Sequence, residues 1–173
     1  MKSKAFLFAG MLFAAVSLSA QEKETKENIA YSNITEAGFF AAGPWGMCLE
    51  ATTVHGFSLN KQHHFGLGFG IGTCIMFEDP GMGEGGAYMP IFANYRHYFY
   101  PKKTFSPHVN ASLGGLITGN GNGMYSALAM GIKAGHFSLS SGLSFMMMIQ
   151  PDGWGEHEAY FTWGLVLKCG FTF

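Results

Sequence analysis

The sequence predicts an all-β fold, an eight-stranded antiparallel up-and-down transmembrane β-barrel, and three observations carry that expectation. Segment after segment alternates apolar with polar or small residues at a period of two, the mark of a strand with unlike faces. Charged residues make up only 12% of the chain, while 16% are aromatic and 25 are glycine. An average soluble domain carries roughly 25% charged residues, so a water-exposed surface would be poorly covered here. After the N-terminal run, no apolar stretch reaches the ~20 residues that a spanning helix needs. A membrane location therefore requires a closed barrel, the other structure that satisfies every backbone polar group within lipid.

Residues 1–20 read as a secretory signal: Lys2 and Lys4, an apolar run from Ala5 to Val16, then Ser17-Leu18-Ser19-Ala20 before a cut after Ala20. Leu18 is larger than the small residue usual at that position. No cysteine lies near the cut, so a lipoprotein signal is not indicated. Removing Lys2 and Lys4 takes the formal charge from −1 to −3, which gives no support to nucleic-acid binding. Residues 21–33 are polar, charge-dense and without periodicity, and read as a flexible lead-in to a single barrel domain over 34–173.

The first strand, from Ile34 to Ala42, is the weakest and ends at a Gly43-Pro44 turn. From Gly46 to Phe57, Met47, Leu49 and Ala51 lie on one face and Glu50 and Thr52 on the other, so Glu50 points inward. After a turn at 58–61, Gln62 to Phe77 sets Phe65, Leu67, Phe69, Ile71 and Ile75 against Gly66, Gly68, Gly70 and Gly72. Four alternating glycines weaken a strand in a packed core, but in a narrow barrel they leave room for large side chains from neighbouring strands. The Gly-x-Gly-x-Gly within that run has no helix after it, so it is not a dinucleotide fingerprint.

An acidic, Gly-rich loop at 78–86 precedes Ala87 to Tyr100, which puts Asn94 and Arg96 inward; its Pro90 is tolerated near a strand end. Lys102 and Lys103 mark the next turn, and Ser106 to Thr118 alternates Val109, Ala111 and Leu113 with His108, Asn110 and Ser112. Asn120-Gly121-Asn122-Gly123 is a hairpin signal, because Asn and Gly accept the positive φ of hairpin turns. The following strand carries Lys133 inward, a tight turn falls near Gly135, and His136 to Ile149 alternates Phe137, Leu139, Leu143 and Phe145 with serines and Gly142.

The final strand, Glu158 to Phe173, separates most cleanly. Phe161, Trp163, Leu165, Leu167, Cys169, Phe171 and Phe173 share one face, with Lys168 on the other. At about 3.3 Å per residue it is long enough to cross a membrane at a tilt. This strand resembles the C-terminal strand of Gram-negative outer-membrane β-barrel proteins, with apolar residues at Leu165, Leu167, Cys169 and Phe171 leading to a terminal Phe173; Cys169 is the weakest match. The resemblance implies an outer-membrane location, lipid and lipopolysaccharide as surroundings, this strand as the signal read by the barrel-assembly machinery, and a monomer. It covers most of the mature chain as architecture and only the last strand as a motif.

Closure favours eight strands, the smallest even number used by such barrels. If the chain ends in the periplasm, the loops at 78–86, 119–122 and 150–157 are extracellular. They are on average longer and hold Glu78, Asp79, Glu84, Asp152 and Glu156, whereas the turns at 58–61, 101–105 and 134–136 hold Lys61, Lys102 and Lys103. Phe57, Phe77, Tyr98, Tyr100 and Tyr160 fall near strand ends, where aromatic girdles lie, although parity turns the three tyrosines inward.

Inward parity collects an interior polar network of Glu50, Arg96, Lys133 and Lys168, with His64 and His108. Ion pairing is the natural way to hold charge inside a barrel too narrow for an open pore. Catalysis, metal and cofactor readings find no support. His157-Glu158 lacks the second histidine of a metalloprotease helix, and His63 and His64 face opposite ways on a strand. His136 and Ser138 have the spacing seen in outer-membrane lipid A deacylases, but parity turns both inward. The acidic loops suit divalent cations bridging lipopolysaccharide, yet solvated charge is the simpler account. Cys48, Cys74 and Cys169 make no disulfide framework; parity allows Cys48 and Cys74 to approach inside the barrel, and spacing alone does not decide whether they join. The expected role is structural, adhesive or surface-loop binding. A soluble barrel enclosing an apolar ligand is the alternative, and it requires the apolar face to turn inward.

Overall fold

The computed structural model describes residues 29–41, 46–76, 86–119, 121–151 and 157–173. Eight strands follow one another: β1 (Ile29–Ala41), β2 (Gly46–Leu59), β3 (His63–Met76), β4 (Ala87–Tyr98), β5 (Phe105–Thr118), β6 (Asn122–Ala134), β7 (Phe137–Pro151) and β8 (His157–Thr172). Each pairs antiparallel with the next, and β8 pairs with β1 from Ile34↔Thr172 to Ala41↔Leu165 to close the barrel. Reciprocal backbone bonds between Asn33 and Phe173 extend that seam by one step.

β1 starts at Ile29, five positions before the expected Ile34. Residues 29–33 carry no apolar alternation, but their backbones pair with Leu59 to His55 of β2, which supplies the order that side-chain pattern does not announce. β2 runs to Leu59, so the turn shrinks to 60–62, where Asn60 and Lys61 take φ of 56° and 58°. That pair of positive φ values is the geometry of the favoured hairpin turns. Gly135, with φ of 62°, turns the chain between β6 and β7. β4 ends at Tyr98, which leaves Tyr100 exposed in the following turn instead of inward. The β3–β4 ladder pairs from His63↔His97 to Phe69↔Ile91 and resumes at Gly72↔Tyr88. Pro90, with no N–H to donate, lies in the gap.

The turns at 60–62, 99–104 and 135–136 lie at the same end of the barrel as Phe173, here called the turn end. The opposite end carries the long loops. Their acids Glu78, Asp79, Glu84, Asp152 and Glu156 lie outside the described residues, as do the signal, residues 21–28, the Gly43-Pro44 turn, Phe77 and Asn120. Outside β1, whose faces are mixed, the more apolar face of the strands is outside: Leu67, Ile71, Met130, Phe161 and Trp163 are all more than 60% exposed. Around the turn end, Phe57, Phe99, Phe105, Phe137, Phe171 and Phe173 stand exposed as an aromatic ring.

Candidate functional site: the polar interior

The interior is built by alternating large residues with glycines along the rows that run from strand to strand. One row reads Lys168, Gly38, Glu50, Gly72, Tyr88 across β8, β1, β2, β3 and β4. Gly38 is what lets Lys168 reach Glu50 two strands away: a Cβ there would lie 2.7 Å from Lys168 Cγ. Gly72 likewise leaves space for the Tyr88 ring, which a Cβ would strike. A second row, Val54, Gly68, Phe92, Gly114, Tyr125 and Met146, follows the same rule, and Phe92 and Tyr125 meet with ring centroids 5.2 Å apart.

Two buried ion pairs sit among these side chains. Lys168 Nζ donates to Glu50 Oε1 at 2.6 Å and to Tyr125 Oη at 3.1 Å. Tyr125 and Tyr88 in turn donate to the Glu50 carboxylate at 3.0 and 3.3 Å. Glu50 thus has three donors from three strands, the satisfaction that a buried carboxylate requires. Nearer the turn end, Arg96 Nη2 donates to Glu36 Oε1 at 2.6 Å, with both side chains at most 5% exposed. Toward the loop end, Cys48 and Cys74, directly opposed on β2 and β3, form a disulfide.

Of the four residues read as the interior network, Glu50 and Lys168 meet each other and Arg96 meets Glu36. Lys133 stands apart: it belongs to neither ion pair among the described residues and holds its Nζ 5.0 Å from the centroid of the Tyr98 ring. Glu36 was missed because β1 mixes large apolar residues, Ile34 and Phe40, into its inward set. The signal that finds it is the parity Ser32, Ile34, Glu36, Gly38, Phe40 once the strand is extended toward Ile29.

His136 and Ser138 do not converge. β7 begins at Phe137, so His136 is exposed, with its Nδ1 2.7 Å from Thr172 O and its ring stacked on Phe171, whereas Ser138 is buried. His63 faces outward, 2.9 Å from Tyr95 Oη, while His64 is buried inside. Among the described residues no group of three His, Cys, Asp or Glu could hold a metal ion. Leu165, Leu167, Cys169, Phe171 and Phe173 all lie on the outer face. Cys169 is a free thiol donating to Ala37 O at 3.4 Å.

At the turn end the lumen opens into a cavity of about 240 Å³, lined by Ser32, His64, Tyr98, Thr172 and the lysines Lys61, Lys103 and Lys133, among others.

A closed eight-stranded antiparallel barrel with its apolar residues outside and ion pairs inside defines the class: the small up-and-down barrels, whose lumen is filled by side chains. No family model and no curated protein matches the sequence. Among solved structures, the crystal structure of Neisserial surface protein A is similar in fold, with a TM-score of 0.51 at 12% identity, covering 84% of this chain and 96% of that one.

Proposed function

We propose that this chain is an integral outer-membrane barrel with a structural, adhesive or surface-loop binding role, and that it works neither as an enzyme nor as an open pore. The observation that carries the reading is the inversion of the usual protein: large apolar side chains ring the outside while ionised residues pair within. An outer surface of that kind is stable against lipid and a liability in water. Fold similarity to Neisserial surface protein A adds support. The separation of His136 from Ser138 leaves no nucleophile and base in contact there, which favours a non-catalytic role. The soluble alternative needs the apolar set to line a ligand cavity, and that set faces outward. In this reading lipid and lipopolysaccharide surround the barrel, the turn end is periplasmic, and β8 is the segment the assembly machinery reads.

Fractionation of the expressed full chain, followed by gel electrophoresis with and without boiling, tests the proposal. Recovery in the detergent-soluble outer membrane with a band that shifts on heating is expected for a closed, inserted barrel. A soluble periplasmic protein with no shift would overturn it.

A further inference from the structure

We propose that the cavity at the turn end binds a phosphate group. Among the described residues three lysines, Lys61, Lys103 and Lys133, line it, and no aspartate or glutamate does. The interior carboxylates cannot neutralise them, because Glu36 is held by Arg96 and Glu50 by Lys168. Lys133 is the anchor. It lies between Ser106 and Ser138 in the strand register, half-buried, with an aromatic face beneath its ammonium and no carboxylate within ion-pair distance among the described residues. A partly desolvated cation without a counter-charge, beside a cavity wide enough for a tetrahedral oxyanion, is an anion site.

Two unpartnered polar atoms choose among anions. Thr172 Oγ1 and His64 Nδ1 belong to residues that are 8% and 1% exposed, both residues line the cavity, and neither atom has a hydrogen-bond partner among the described residues. The other nitrogen of His64, Nε2, lies 3.4 Å from Ser32 O, which can only accept, so Nε2 carries the proton and Nδ1 is left as an acceptor. Hydrogenphosphate satisfies the whole set: its oxygens accept from the lysines and the Thr172 hydroxyl, and its P–OH donates to His64 Nδ1. Sulfate and ionised carboxylates have no proton to give. The phosphate can be free in solution or a phosphomonoester on a lipid at the barrel rim, since the diester of an ordinary phospholipid has no P–OH to give.

The test uses the full chain purified in a phosphate-free, uncharged glucoside detergent, with the heat shift on gels verifying closure of each sample. Calorimetric titration with inorganic phosphate should give saturable binding, with sulfate at least tenfold weaker and Lys133→Gln at least tenfold weaker for phosphate. The double variant Lys61→Gln/Lys103→Gln, altered only in exposed turns, should also weaken binding and keeps the test sound if Lys133→Gln fails to close. Native mass spectrometry of the protein extracted from membranes separates the sources: a phosphomonoester lipid retained by the wild type and lost in the variants assigns the site to a lipid phosphate, while phosphate binding without retained lipid assigns it to a soluble phosphate. Neither phosphate binding nor retained lipid in a heat-shifting barrel, binding unchanged by the variants, or sulfate binding as tightly as phosphate would overturn the proposal. Loss of the heat shift in the wild type would instead overturn the barrel reading itself.

Discussion

Arg96 and Glu36 show how much a single residue carries inside this barrel. The guanidinium is fully buried and its carboxylate partner nearly so, at 2.6 Å. Formation of such a pair is a weak source of stability, because both ions leave water, but removing one partner strands the other charge at a cost of roughly 3–5 kcal/mol. Arg96→Met should therefore lower the unfolding free energy in lipid vesicles by about that amount, and Glu36→Gln added to Arg96→Met should recover much of it. Equal stability of the single and double variants, measured by urea titration, would refute coupling between the two. Sequence reading reached Arg96 as an inward cation but not its partner. Parity tells which face a residue occupies and says nothing of its height along the barrel, and height decides which charges meet. The same gap explains Lys133, which shares the inward parity of Lys168 but lies near the turn end and joins neither Glu50 nor Glu36 in an ion pair.

At the scale of strands, the alternation in β3 and β8 was legible because their unlike faces carry aromatic or aliphatic residues against glycine or polar ones. β1 was legible only in part. Its outward set includes Asn33 and Thr35 and its inward set includes Ile34 and Phe40, so both faces are mixed, and its order comes from pairing with β2 and β8. The spacing of Cys48 and Cys74 left their pairing open; the register of β2 against β3 settles it by setting them directly opposite. That disulfide closes a loop across a sequence separation of 26, for which chain entropy gives about 3.5 kcal/mol as an upper figure. Cys48→Ala/Cys74→Ala should thus still form a heat-shifting barrel, since the β2–β3 ladder holds the two strands together along fourteen paired positions. The temperature at which its compact band disappears should fall, and reductant should lower the wild type toward the same value while leaving the variant unchanged. An identical transition in wild type and variant would mean that the bridge adds nothing to the strands it joins.

The whole molecule is a closed barrel whose lumen holds its own glycine-spaced rows of side chains. Eight strands enclose an interior just wide enough for side chains, and here Glu50, Lys168, Tyr88 and Tyr125 join across it while Phe92, Met146 and Val54 fill the layer beside them. An ion crossing the membrane would have to part Lys168 from Glu50, leaving a buried carboxylate and a buried ammonium unpaired together. In the proposed plugged reading, the penalty for that, several kcal/mol per ion, is what keeps the layer closed on the timescale of conduction and the cavity at the turn end blind. Wild-type protein in planar bilayers should therefore show no steady conductance of the kind an open, water-filled barrel gives. Replacing three of those four joined side chains by small residues, Glu50→Ala with Lys168→Ala and Tyr125→Ala, removes the ion pair and its bridging phenol at once. If the barrel still heat-shifts, current should appear in the triple variant and not in the parent. Steady conductance in the wild type would show that the layer opens and that the interior is a path.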